Sequence, residues 1–387
     1  MRVWCFAPVF LFATDACGFR SSLAPEEISD AGMTSDNASD APILPDASSS
    51  ELCLGTYVRL CVAPPQSSIT LPAAIDTSAG APGSLCMVST TTPALDACVI
   101  AGQSIQTTGA GKVSITGTRP LILIARDQIT ISGTLDAASH RNEGKDGPAA
   151  GAGTCPVGTA AASGTAGAGG WGASFGGPGN NGGNSFDAIG GKAPEPPGIT
   201  GLRGGCSGGR GGNTGGGVGG HGGGALLLLA GREIIVNADA TVNASGAGGT
   251  AGRTGGEDSN GGGGGGGGGS GGMIVLDAPR VVIQGTCLAN GGGGGEGGEA
   301  ARGGTSGGEA TAPLLAGLGG AGNSLLGGDG GTGAYGTTSP LGGSPGAQTT
   351  DNRGGGGGGG GGAGFIKVLA TTQQYTSDPS HVAPPPR

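Results

Sequence analysis

The sequence predicts an all-β protein whose body is a parallel β-solenoid interrupted by glycine-rich insertions. Three observations lead there. A hydrophobic phrase recurs as LILIARDQITISGTLDAAS from Leu121, LLLLAGREIIVNADATVNASGAGG from Leu226, MIVLDAPRVVIQGTCLANGGGGG from Met273 and, truncated, FIKVLA from Phe365. Each full copy holds three short β-rich pieces separated by tight bends, as one coil of a solenoid would. Between copies glycine dominates: 96 of 387 residues, against 3% aromatic and 12% charged. A core must therefore come from Ile, Val, Leu and Ala in short segments, and no strict Gly-X-Y period points to collagen.

Taken in order, residues 1–16 read as an export signal: Arg2 is a minimal charged start, and VWCFAPVFLFA is apolar but too short to cross a bilayer. Cys17, between Ala16 and Gly18, has the placing of a lipidated cysteine, although Thr14 and Asp15 depart from that motif. Gly18, rather than Asp, favours the outer membrane or cell surface; simple secretion is the alternative. Residues 17–51 form an acidic tether that buries too little apolar surface to order itself. Seven of the acids behind the net charge of −9 lie there (Glu26, Glu27, Asp30, Asp36, Asp40, Asp46 and Glu51), against one base, Arg20. That balance argues against a nucleic-acid partner.

Residues 52–111 are a cysteine-containing neck with irregular β coils. In an exported chain Cys53 with Cys61, Cys86 with Cys98, and Cys155 with Cys206 are disulfide candidates, leaving Cys287 single. A metal site is not expected: no C-x-x-C occurs, and His140, His221 and His381 are far apart.

Residues 112–376 are the glycine-rich solenoid. Aligning the copies on their first residues places Ile122, Leu227, Ile274 and Ile366 in one column and Ile124, Leu229, Leu276 and Val368 in another. Leu123, Leu228, Val275 and Lys367 fall between them, on the opposite face by strand alternation. The charge on Lys367 suggests that this middle column faces outward. A second run pairs Ile129/Ile131 with Ile234/Val236 and Val281/Ile283, and a third aligns Leu135, Val242 and Leu288. Each coil must stack on a neighbour to cover its apolar face. An antiparallel sandwich is the competing arrangement; the shared direction and internal order of the copies favour the solenoid. Ser68–Gly80 and Lys112–Thr118 read as weaker coils, Gln373-Gln374-Tyr375 as a polar cap, and residues 377–387 as a disordered tail.

The glycine-rich intervals leave two readings. Fixing a residue's backbone costs roughly 1–2 kcal/mol, with Gly at the expensive end, so floppy loops are one outcome. The other is polyglycine-II packing, extended three-fold helices cross-linked through their backbones at separations that leave no space for Cβ. On that second reading Leu314, Leu315, Leu318, Leu325 and Leu326 would pin the helices to the solenoid.

The TYVRLCVAPP neck, DACVIAG, TGTRPLILIA…ITISGTLDAASH, GGGGSGGMIVLDAP and LANGGGGGEGG resemble uncharacterised glycine-rich lipoproteins of myxobacteria and related bacteria. The resemblance covers most of Cys53 to Ala370 and implies a cell-envelope protein without implying an activity. The glycine segments are also similar in style to the polyglycine sandwiches of phage tail-tip adhesins, at the level of fold alone.

No catalytic residue or cofactor is expected. G-x-S-x-G occurs around Ser174, Ser270 and Ser344, but a nucleophile elbow needs a following helix and none is readable. Arg-Gly-Gly at Arg203, Arg210, Arg302 and Arg353 lacks the positive charge and aromatics of RNA-binding segments. Gly-Gly-Asp-Gly at Asp329 is a single partial match to calcium-binding repeats. The strand charges Arg126, Asp127, Arg232, Glu233, Asp277, Arg280 and Lys367 fall mainly at bends and form no carboxylate pair. The expected function is a non-enzymatic, lipid-anchored envelope or surface protein with a structural or adhesive role. Its partners would be a membrane through the anchor and a surface polysaccharide or another envelope protein, met through Trp171, Phe175 and Tyr335. The alternative is a β-helical carbohydrate-active enzyme.

Overall fold

A computed structural model describes residues 51–87, 95–151, 153, 155–255, 261–375 and 380–387. The expected signal, and all of the expected tether but Glu51, lie outside these residues. The described chain is all-β, with one short 3-10 turn at Arg141–Glu143. A hairpin of β1 (Leu52–Leu54) and β2 (Leu60–Val62) comes first, its antiparallel register placing Cys53 opposite Cys61.

The strands that follow fill three parallel sheets in strict rotation. The first round is β3 (Ile69–Thr70), β4 (Ala74–Asp76) and β5 (Cys98–Gly102). The second is β6 (Ile105–Gln106), β7 (Lys112–Thr116) and β8 (Leu121–Ala125), and the third β9 (Gln128–Ile131), β10 (Thr134–Asp136) and β11 (Ala225–Ala230). The fourth is β12 (Glu233–Val236), β13 (Thr241–Asn243) and β14 (Met273–Asp277), and the fifth β15 (Arg280–Ile283), β16 (Thr286–Leu288) and β17 (Phe365–Leu369). β18 (Thr372–Tyr375) and β19 (Val382–Ala383) complete the series. Every third strand pairs with its predecessor, giving sheets β3-β6-β9-β12-β15-β18, β4-β7-β10-β13-β16-β19 and β5-β8-β11-β14-β17.

The sheets enclose one apolar interior, with Leu123, Leu228, Leu276 and Val368 from one wall, Ile129, Ile234 and Val281 from the second, and Leu135, Val242 and Cys287 from the third. The β5–β17 sheet is apolar on both faces, as a parallel sheet covered on both sides must be. Its outer face (Val99, Ile122, Leu227, Val275) forms a second core with Leu60 and Val62 of the hairpin and with Trp171, Phe175 and Leu202 of the first insertion. Asp277 holds the hairpin turn there, its carboxylate accepting the N–H groups of Thr56 and Tyr57.

The register corrects the sequence alignment. Leu226 pairs with Ile274 rather than Met273, and Val275 pairs with both Leu227 and Lys367. A slip of one residue exchanges the faces, so Leu123 and Leu228 point into the interior while Ile122, Leu227 and Val275 share the column of Lys367. That column faces away from the interior, yet it is covered; Lys367 lies over the Tyr57 ring at 5.8 Å. Cys287, not Leu288, continues the column of Leu135 and Val242. One rigid offset fails because the bends differ in length: between the paired positions, three residues separate Leu229 from Glu233, whereas two separate their partners Asp277 and Arg280.

Two boundaries also move. The strands from Ile69 to Gln106 belong to the same sheets as those that follow, so of the strands in the expected neck only the β1–β2 hairpin lies outside them. The expected disordered tail carries β19, with Val382 and Ala383 fully buried, and Arg387 donates its backbone N–H to the Ile366 carbonyl.

All three glycine-rich insertions leave at one corner, between β10 and β11, β13 and β14, and β16 and β17. Stacked strands bring them side by side, and they are ordered by one another. Gly265, Gly268 and Gly271 donate their N–H groups to Gly356, Gly359 and Gly362; Gly266, Gly269 and Gly272 donate to Thr250, Ala247 and Ala244; Gly267 and Ser270 donate to Gly209 and Cys206. Carbonyls accept in the same rhythm. Those of Gly262, Gly265 and Gly268 receive Gly167, Gly170 and Ala173; those of Gly263, Gly266 and Gly269 receive Gly298, Gly295 and Gly292; those of Gly264, Gly267 and Ser270 receive Gly217, Gly220 and Gly223. Residues 261–272 are thus bonded to six surrounding segments, three running with them and three against.

A Cβ has no place in this arrangement. At Gly267 it would fall under 3.0 Å from the Trp171 carbonyl oxygen, and at Gly266 equally close to that of Val218, both backbone atoms that cannot step aside. Gly198 has open space around it. We expect Gly267→Ala to cost about 3 kcal/mol, the upper end of overpacking, and Gly198→Ala to stay within about 0.5 kcal/mol of the parent. Chemical denaturation measures both; equal effects would contradict the packing.

Candidate functional site

Of the residues singled out in the sequence, the cysteines are placed most simply. The structure contains the disulfides Cys53–Cys61, Cys86–Cys98 and Cys155–Cys206, and Cys287 is a buried thiol. Burial pushes the Cys287 thiol up to about 12, which keeps it protonated and unreactive. Cys17 lies outside the described residues. Cys155–Cys206 ties the start of the first insertion to its returning leg, with the Arg203 guanidinium 3.2 Å from the Cys155 sulfur and stacked over Phe175 at 5.4 Å. Desolvation lowers the pKa of Arg203.

The aromatic groups expected on the surface are not there. Trp171 is 8% exposed and Phe175 1%, both in the core beneath the insertions, and Tyr335 is half-buried. Trp171 and Phe175 lie where the first insertion meets the outer face of the sheet, so they bind that insertion to the body. The leucines assigned that role are instead outside: Leu314, Leu315, Leu318 and Leu325 are 53%, 56%, 66% and 76% exposed, and Leu326 is partly buried.

The motif residues have structural partners. Ser174 donates its hydroxyl to the Pro194 carbonyl and accepts the Gly179 N–H at 2.8 Å. The Ser270 hydroxyl accepts the Cys206 N–H at 2.8 Å. Neither bonds to a histidine. Arg210 caps the carbonyls of Gly216 and Thr214, and Arg353 reaches Asp187 at 3.9 Å and lies over the Phe186 ring. Among the described residues, one group of acids and thiols is close enough to hold a metal, Glu51 with Cys53 and Cys61, and its thiols are consumed in a disulfide.

The outer surface of the insertions follows the hydrogen-bond period. In the peripheral segments side chains emerge at every third residue: Ser207, Arg210 and Asn213; Val218 and His221; Ile189, Lys192 and Glu195; Leu341, Ser344 and Ala347. In 207–213 and 218–221 the residues between them are glycines that are buried or partly buried. This G-G-x rhythm is written in SGGRGGN and VGGHGGG, a signal the sequence reading passed over.

Where the insertions meet the sheets there is a charged network that the sequence did not reveal. His140 bridges two carboxylates, Nε2 to Asp136 Oδ2 and Nδ1 to Glu309 Oε2, each at 2.8 Å. Lys112 reaches the same Asp136 oxygen at 2.7 Å, and Glu309 also accepts the Arg141 N–H. Hydrogen bonds to Asp136 and Glu309 raise the His140 pKa to about 10. Asp136, although its desolvation acts the other way, is held below the usual carboxylate range by His140 and Lys112. Asp136 and His140 are one helical turn apart in number, but Glu309 arrives from the third insertion, 169 residues away.

Comparison with protein-family models, curated proteins and solved structures finds no match.

Two outcomes follow. His140 is raised in the folded state, so its contribution is complete below the unfolded value near 6.5 and is lost as pH rises through about 10. His140→Gln should therefore lower stability by about 1–3 kcal/mol at pH 6, with the gap closing above pH 10 in thermal unfolding; a pH-independent gap would refute the clamp. Removing Cys155–Cys206, a separation of 51 residues, should cost about 4 kcal/mol, and Cys53–Cys61, a separation of 8, about 2.5 kcal/mol. Denaturation of the paired Ser variants checks that order.

Proposed function

We propose that the chain is an exported, lipid-anchored, non-enzymatic protein of the cell envelope or cell surface, built to present a rigid surface for a structural or adhesive role. In this reading the three sheets are the faces of a parallel β-solenoid and the insertions form a polyglycine-II block against one of them. The observation that carries it is the hydrogen-bond period of residues 261–272, whose N–H and C=O groups turn to a new neighbour at each residue and return to the first after three. A three-residue turn without internal hydrogen bonds is the geometry of a polyproline-II-type helix. Such a block is stiff in every direction across its axis, and it exposes side chains only on its periphery and at its turns. That suits display better than chemistry, which needs a concave site with convergent polar groups. Three disulfides accord with an oxidising location, and Cys17 at the end of the apolar start is the group that would carry the lipid.

Two measurements test this reading. Amide hydrogen exchange should find residues 261–272 protected to nearly the extent of β11 and β14; exchange at loop rates would remove the block. Metabolic labelling of cells with a lipid precursor should mark the parent and spare Cys17→Ala, and equal labelling would remove the anchor. Turnover of any polysaccharide, abolished by substituting one acidic residue, would favour the β-helical enzyme instead.

A further inference from the structure

Beside the His140 network lies a cleft of about 210 Å³ lined by His140, Arg141, Asp146, Val218, His221 and Thr250, with Gly219, Gly220 and Gly248 contributing backbone. It opens where the turn after β10 meets two outer glycine segments. Most charges around it are internally matched. His140 is held by Asp136 and Glu309, Lys112 by Asp136, Lys145 by Glu143 at 3.0 Å, and His221 stands 3.3 Å from Asp146. Arg141 is not matched: its backbone N–H goes to Glu309, but its guanidinium has no acid partner among the described residues, and its Nε–H is buried without an acceptor. The backbone N–H groups of Gly219 and Gly248 also have no backbone acceptor among the described residues, although both glycines are buried.

A buried donor without an acceptor is rare in folded proteins because its desolvation goes uncompensated. Here Arg141, whose guanidinium has no acid partner among the described residues, lines one opening with the backbones of Gly219 and Gly248, and the acid in that lining, Asp146, stands beside His221. The ligand that satisfies such walls is an anion, and the planar fork of arginine selects a carboxylate. The rest of the lining suits a sugar. Val218 offers an apolar contact, His221 with Asp146 offers an acceptor and donor pair for hydroxyls, and the volume is that of about seven waters, enough for a single ring.

We propose that this cleft binds the carboxylate of an acidic sugar, a uronate unit of a surface polysaccharide, with Arg141 as the anchoring cation. The proposal rests on the adhesive reading above and names its ligand class. Titration of the full chain with sodium glucuronate, followed by chemical shifts of His221 and Gly219, should give saturable binding. Methyl glucoside should give none, and inorganic sulfate should bind much more weakly. Arg141→Gln should weaken glucuronate at least about tenfold, and Arg141→Lys, which keeps the charge without the fork, by an intermediate factor. Unchanged circular dichroism and melting in both variants exclude misfolding; if Arg141→Gln does not fold, the Lys variant and the sulfate comparison decide. Absent glucuronate binding, equal binding of the neutral sugar or of sulfate, or unaltered affinity in the variants overturns the proposal. Retention of the protein on an acidic polysaccharide separates the two readings. Retention that survives Arg141→Gln leaves adhesion standing and removes this site. Glucuronate binding at the cleft without retention leaves the site and removes adhesion.

Discussion

The structure depends on satisfying backbone hydrogen bonds where there are almost no side chains to help. Buried N–H and C=O groups must be paired, and a glycine chain in isolation has neither a helical propensity nor an apolar face with which to organise the pairing. The parallel sheets supply what is missing. Because strands stack in register, the three insertions that leave one corner are delivered side by side, already at the spacing that lets Gly268 bond to Gly359 and Gly269 to Ala247. The sheets hold the ends of the glycine segments, and the segments supply the cover that the outer face of β5–β17 requires. Trp171 and Phe175 close that joint, which explains why two of the few aromatics are buried there.

The same arithmetic limits where function can lie. An interior glycine segment meets another backbone on every side, so it has no group left to offer. Only the periphery and the turns carry free side chains, and these also stop the block from growing, since Val218, Arg210 or Leu341 would keep a further segment away, as charged and bulky residues do on sheet edges. The charged cluster of Lys112, Asp136, His140 and Glu309 belongs to a different category. It joins the body to the third insertion through charged groups that match one another, and beside it lies Arg141, whose Nε–H has no acceptor among the described residues.

Much of the fold was legible. Alternation in QITI, EIIV and RVVI put Ile129, Ile234 and Val281 in one column, and the pairing found is the same. Short strands repeating in fixed order pointed to parallel stacking. The disulfide candidates Cys53 with Cys61 and Cys86 with Cys98 were readable from nearness along the chain and from the expectation of export, whereas Cys155 and Cys206 stand 51 residues apart. The register of the first strand in each round was not, because LILIA, LLLLA and MIVLD are apolar at every position and alternation is invisible in them. A sheet covered on both faces erases the signal that fixes register. The tail was misread for a related reason: Val382 and Ala383 are too short a run to register as a strand, yet a waiting edge on β16 suffices to order them.

What the sequence by itself determined is composition and local geometry: β-rich pieces of three to six residues, bends between them, and glycine wherever a side chain would be intolerable. Those properties are local, set by side-chain bulk and alternation along a few residues. Only the tertiary structure decided whether the glycine is slack or ordered, since each glycine hydrogen bond joins residues far apart in number, as Gly265 does with Gly356. It alone decided that Glu309 would meet His140, and that Arg141 would lie beside them without an acid partner among the described residues. Such meetings are set by which insertions share a corner, a relation among distant segments that no local pattern encodes.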